Sequence, residues 1–148
     1  SRCLVGSEMC IRDSFFIFMF MIFSSVAYSN PVLDRQEYMR DFSKLMKVAK
    51  NFVKDRSKSE DLANAFEEIE NIMIIYPTLF PDDSFGGKSK ASTDIIDNRE
   101  LFNQIAKETE ENAAFAKLAA MKGDFDEVQQ YHKKLYGSCK SCHSRFKD

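Results

Sequence analysis

Two cysteines and a histidine near the C-terminus are the residues best placed to do chemistry. They are Cys139, Cys142 and His143, in the stretch "GSCKSCHSRF". Thiols at this spacing, with an imidazole directly after, suit a redox dithiol, part of a zinc site, or a covalent haem. A structural zinc site is almost always four-coordinate. The other histidine, His132, would lie on the same helix, about 16 Å from His143 along the axis, so the two cannot share an ion. Redox dithiols open a helix that follows a strand, where the helix dipole lowers the thiol pKa. Here the pair falls in the last turns of an expected C-terminal helix, where the dipole has the opposite sign. C-x-x-C-H is the attachment signature of c-type haem: the thiols form thioethers and the histidine becomes the proximal iron ligand. A thiol-redox protein without haem remains the check on that reading.

The elements that must hold this motif are all helical. One apolar stripe, Met39, Phe42, Leu45, Met46, Ala49, Phe52 and Val53, predicts a helix over about Leu33 to Lys54, with Asp34 able to cap it. Leu62, Ala65, Phe66, Ile69, Ile72 and Met73 predict a second over about Ser59 to Tyr76. Ser59 is its expected N-cap and Pro77 its stop. A long connection follows, Pro77 to Ile96, whose Leu79, Phe80, Phe85 and Ile95 should pack down onto the body. Asp97-Asn98-Arg99-Glu100 reads as a capping box for a third helix, with Leu101, Ile105, Asn112, Phe115, Ala116 and Ala119 on its buried side. Gly123 ends it. Asp124 caps a fourth, on which Val128, Tyr131, His132, Leu135, Cys139, Cys142 and Phe146 share a stripe. The fold class expected is all-α, an antiparallel four-helix bundle with covalent haem on the C-terminal helix.

Composition limits the function classes. The chain has 148 residues, 44% of them apolar, and a net charge of -2. Removing the first 29 residues leaves that balance unchanged, because Arg2, Arg12, Glu8 and Asp13 cancel. Nucleic-acid binding needs a concentrated basic excess, so no nucleic-acid partner is expected. The apolar run "FFIFMFMIF", Phe15 to Phe23, is far shorter than the ~20 residues of a membrane span and suits a secretory signal. Ala27 and Ser29 fit a small-x-small cleavage site, and the alternative is an uncleaved membrane anchor. The expected organisation is residues 1–14 as upstream or non-native sequence, 15–29 as signal peptide and 30–148 as the bundle. Export to a periplasm follows, and Cys3 and Cys10 leave with the leader.

The C-terminal stretch "FAKLAAMKGDFDEVQQYHKKLYGSCKSCHSRFK" combines an alanine-rich helix, a Gly-Asp turn and C-x-x-C-H followed by an aromatic-basic pair. With the loop "LFPDDSFGGKSKASTDIIDNRELF" and the opening "DRQEYMRDFSKLM", it resembles the class II cytochromes c, meaning cytochrome c′ and its low-spin relatives. The resemblance covers roughly Leu33 to Asp148. It implies one covalent haem c on Cys139 and Cys142, with His143 as proximal ligand and Phe146 and Lys147 as the pair beside it. It also implies that Arg35 lies near a haem propionate and that the distal position, four residues on, is Met39. Met39 could ligate the iron, giving a His/Met low-spin electron carrier, or could pack over an open iron that binds NO or CO. The preferred expectation is the electron carrier. The resemblance implies no catalytic residues and no enzyme, a redox partner of unknown identity, and a possible homodimer through the first two helices.

Overall fold

The computed structural model describes residues 30–57 and 59–148. The expected leader, residues 1–29, lies outside them. The described chain folds into four long helices and one short one: α1 (Pro31–Asp55), α2 (Ser59–Ile75), α3 (Asp94–Asp97), α4 (Arg99–Met121) and α5 (Phe125–Phe146). No strand occurs among the described residues, only an isolated bridge between Ala91 and Lys147. None of these helices is long and apolar enough to cross a membrane.

Asn30, rather than Asp34, caps α1. Its side chain accepts from the backbone N–H groups of Val32 at 3.1 Å and Leu33 at 3.4 Å. Pro31 follows at the first helical position, where its missing N–H costs nothing. At the other end Arg56 takes a left-handed conformation, φ 48°, and donates its backbone N–H to Phe52. Its guanidinium reaches Asp126 at 3.1 Å, joining the α1 exit to the start of α5.

Ser59 is helical rather than a flanking cap, and α2 ends at Ile75. Pro77 ends the α-helix without ending helical winding. The chain tightens into a 3₁₀ turn, Tyr76–Leu79, with proline near its start, where a missing N–H is tolerated.

The start of α4 also departs from expectation. Asp97 closes α3, and Asn98 precedes α4 without a side-chain cap hydrogen bond. The buried face of α4 is Phe102, Ala106, Thr109, Ala113, Ala116, Ala119 and Ala120. The larger Leu101 and Ile105 are only partly buried, as is Asn112. Phe115 is half exposed and stacks on Tyr131 with ring centroids 5.5 Å apart. Close approach explains the shift. α4 packs between α2 and α5, with its heaviest contact on α2, and small alanines let two helices come near at once. Gly123, φ 71°, then turns the chain, and Asp124 accepts from the Glu127 N–H at 3.0 Å as expected.

Around the bundle each long helix has two neighbours: α1 beside α2 and α5, α4 beside α2 and α5. Two apolar clusters result. The main one joins Phe42, Met46, Leu62, Phe66, Ile69, Val128 and Leu135. The second gathers Phe80, Ile95, Phe102 and Phe146 beneath the long connection, with Leu79 and Phe85 against it, so that segment does pack down. Contact between α1 and α5 is sparse, and this gap holds the site.

Candidate cofactor site

A single turn of α5 presents both thiols. Residues three apart share a helix face, and Cys139 and Cys142 use that face differently. Cys139 packs against the main cluster and Cys142 against the second, so the pair straddles the seam between them. Both are free thiols. Burial pushes both upward from the ordinary thiol value, Cys142 to about 11. Redox dithiols need a thiolate near neutral pH, and these thiols stay protonated there.

His143 follows on the more open side. Burial, and then the Lys147 ammonium, lowers its pKa, so its imidazole is neutral at pH 7 with a lone pair free for a metal. His132 is elsewhere: its Nε2 lies 3.2 Å from the Met46 carbonyl oxygen, and it does not line the cavity.

Between α1, α5 and the long connection lies a cavity of about 740 Å³, within the range of cofactor sites. The structure brings every sequence-predicted site residue to its wall: Arg35, Met39, Cys139, Cys142, His143, Phe146 and Lys147. Phe42, Met46, Phe102 and Ile105 make the wall apolar. The donor set and shape therefore fit a haem. Two thiols stand on one wall, a neutral imidazole follows them, flat aromatic and thioether surfaces enclose the space, and its charged groups are all cations.

Arg35 has further duties. It is 5% exposed. Its Nε donates to the Leu79 carbonyl at 2.7 Å and Nη1 to Ser89 Oγ at 3.2 Å and the Ser84 carbonyl at 3.3 Å, while Nη2 meets Ser84 Oγ. The guanidinium lies over the Phe80 ring, 4.1 Å from its centroid. It thus ties α1 to the long connection. That connection in turn grips the chain beyond His143: Ser92 N–H donates to the Phe146 carbonyl and Asp148 N–H to that of Lys90, each at 3.0 Å.

Sequence reasoning passed over Tyr76, Arg40 and Lys90, which also line the cavity. Tyr76 packs edge-on against Phe80 at 5.1 Å, and burial raises the pKa of its phenol well above the usual value. Its signal was slight, a tyrosine before the proline that ends α2. Arg40 follows Met39, and Lys90 belongs to the Lys-Ala pair of the connection.

The family model for cytochrome c′ matches residues 30–147. The chain belongs to the cytochrome c′ family. Members of the family carry covalently attached haem c, so this is a haem protein. Solved structures of similar fold include a cytochrome c′ from Shewanella frigidimarina, 19% identical, with TM-score 0.73, covering 80% of this chain and 94% of that one. A mutant cytochrome c′ from Alcaligenes xylosoxidans in complex with nitric oxide is 20% identical, with TM-score 0.72 and coverage of 80% and 94%. A cytochrome c′ described as having an unusual ligand-controlled dimer dissociation is 19% identical, with TM-score 0.72 and coverage of 79% and 93%. No match to a curated protein sequence was found.

Proposed function

We propose that this chain is a gas-binding cytochrome c′, holding a haem iron with one strong protein ligand, His143, and an open face that takes NO or CO. The observation that carries this reading is the state of Met39. It packs against the main core cluster while lining the cavity, as a flexible apolar filler over an open iron would. The likeness to a nitric oxide complex of a cytochrome c′ supports the same reading.

The haem, when bound, supplies an iron able to coordinate a diatomic ligand. The chain's residues do the rest. Cys139 and Cys142 tether the group to α5 through thioethers. His143 offers a neutral nitrogen because burial and Lys147 disfavour its proton. Phe102 and Phe146, edge to face at 5.4 Å, and Phe80, 4.8 Å from Phe102, keep water from that end. The bridge between Ala91 and Lys147 fixes the chain that follows the ligand.

Met39 ligation is the second reading, favoured by its lining the same cavity as His143 from a different helix, α1 rather than α5. It would make the protein a His/Met low-spin electron carrier. The deciding experiment is the absorption spectrum of the ferric and ferrous holoprotein, with and without CO. The gas-binding reading expects a broad high-spin ferrous spectrum that shifts with CO, and a Met39→Ala variant of unchanged spin state. Sharp, split ferrous bands indifferent to CO, lost in Met39→Ala, would reverse the assignment.

The proposal includes export to a periplasm behind the apolar leader, because c-type haem is attached outside the cytoplasm. It also includes a homodimer through α1 and α2, whose Leu33, Val48, Ile74 and Ile75 are exposed apolar side chains.

A further inference from the structure

The cavity wall carries more hydroxyl groups than the protein itself satisfies. Among the described residues, six bring one there: Ser43, Tyr76, Ser89, Thr109, Tyr136 and Ser138. Thr109 donates to the Ile105 carbonyl at 2.7 Å and Ser138 to that of Lys134 at 3.1 Å, so both are satisfied within their own helices. Ser43 and Tyr136 are exposed and can bond water. Tyr76 and Ser89 remain, both half-buried. Ser89 Oγ accepts the Nη1 N–H of Arg35 and the backbone N–H of Ala91, each at 3.2 Å. A hydroxyl has two acceptor positions and one proton. This oxygen can therefore only donate further, and no described residue takes its proton. The Tyr76 hydroxyl has no hydrogen-bond partner among the described residues, whereas every side-chain oxygen sealed from solvent there has one. It therefore opens onto the cavity. Burial keeps the phenol protonated and hence a donor, and a tyrosine O–H held from water normally finds an acceptor. The two hydroxyls flank Arg35. Ser89 bonds it, and its guanidinium lies over Phe80, against whose ring Tyr76 packs edge-on at 5.1 Å. Arg35 itself offers the cavity little, because it is buried and its Nε and both Nη nitrogens already donate to Leu79, Ser84 and Ser89.

We propose that Tyr76 and Ser89 hold one carboxylate of the haem through their two O–H groups, with Arg35 acting through Ser89 rather than touching the carboxylate itself. A carboxylate is the group of complementary chemistry: it is anionic and only accepts. Hydrogen bonds to an ionised acceptor are roughly twice as strong as neutral ones. No Asp or Glu lines the cavity to compete for these protons. The buried guanidinium donates to Ser89 Oγ from behind, and so strengthens the bond that this hydroxyl gives. Three segments are tied in this way to one edge of the cofactor: α1 through Arg35, the 3₁₀ turn after α2 through Tyr76, and the long connection through Ser89. The inference rests on the haem in the cavity and not on its sixth position. CO titration of the same samples reads that position separately, so either reading can fail alone.

Vibrational spectra of the holoprotein test this. Growth on carbon-13-labelled aminolevulinic acid, a haem precursor, marks the haem carboxylates. Redox-difference infrared spectra at pH 7 then separate their stretches from those of Asp and Glu. Tyr76→Phe keeps the ring against Phe80 and removes only the hydroxyl. Tyr76→Phe and Ser89→Ala should each shift the antisymmetric stretch of one labelled carboxylate upward, toward its unbonded position, and the double variant should shift it further. Tyr136→Phe, at the exposed phenol, should leave it in place. Arg35 is tested as a positioning residue: Arg35→Met should move the same band when alone and add little in the Ser89→Ala background. Potentiometry gives a second readout. The midpoint potential should fall in Tyr76→Phe, because a carboxylate stripped of a donor favours the ferric state. Labelled bands and potential that stay put in Tyr76→Phe and Ser89→Ala would overturn the proposal. So would a full extra shift from Arg35→Met in the Ser89→Ala background, which would put the guanidinium on the carboxylate directly. Sodium acetate added to the unmutated holoprotein should move nothing; a band that shifts with it would assign the two hydroxyls to a free carboxylate instead.

Discussion

Arg35 is the sharpest point at which to test how this bundle holds its site. It is a buried cation whose donors go to Leu79, Ser84 and Ser89, with its guanidinium against Phe80. Arg35→Met keeps much of the side-chain volume and removes every one of these contacts. Hydrogen bonds from a charged donor contribute roughly 1.5–3 kcal/mol each, and the Nε bond at 2.7 Å is the strongest candidate for the full amount. The bonds of Nη1 are longer and count for less. Against this, the variant no longer buries a charge, which returns part of the total. The balance is a loss of about 2–4 kcal/mol, with the Leu79 carbonyl left unpaired. Urea unfolding of the holoprotein at constant slope should show it as a lowered midpoint. Arg35→Lys should fall between, because an ammonium has no planar fork to span three residues. Amide exchange locates the damage: Ser92 and Asp148 should lose protection first, since their N–H groups join the connection to the chain beyond His143. A change under about 1 kcal/mol with protection intact would refute the argument, and the connection would then be held by its aromatic cluster alone.

Other outcomes follow from single observations. Cys139→Ala with Cys142→Ala should leave no haem on the chain after denaturation, read by haem staining of a denaturing gel, while either single variant should keep one thioether. Gly123→Ala should cost about 1–2 kcal/mol in thermal unfolding, because φ is 71° and no atom crowds the added methyl, so the cost is backbone strain alone. Lys117 donates to Glu70 at 2.6 Å, and that bond raises its pKa above 10.5. Its contribution is therefore complete below about pH 10 and lost as pH rises through the raised value. Lys117→Met should be the less stable protein at pH 7, and the gap should narrow in urea titrations as pH rises past 10.5 through the raised value. Leu135→Ala, at a fully buried position, should lose about 2–5 kcal/mol by the same assay.

Much of this protein can be read along the chain. The spacing of Cys139, Cys142 and His143 is a local property, and one helical turn is enough to set two thiols and an imidazole at a common edge. Caps and breakers are local too, so Asp124, Gly123 and the end of α2 near Pro77 lie where residue chemistry puts them. Other features depend on neighbours. The buried face of α4 is set by how closely α2 and α5 approach it, which favours Ala113 and Ala116 over Phe115, the larger apolar residue. Asn30 caps α1 because helical winding extends back to Pro31, two residues before the expected start at Leu33. Arg35 finds its partners some 50 residues away, and no periodicity encodes a bond across that distance. The cavity is likewise a property of packing, a gap left where α1 and α5 barely touch. A chain with a net charge of -2 says nothing of a cavity whose charged groups are all cations, because the sum of charges is fixed by composition, while their grouping is decided only when α1, the long connection and α5 meet.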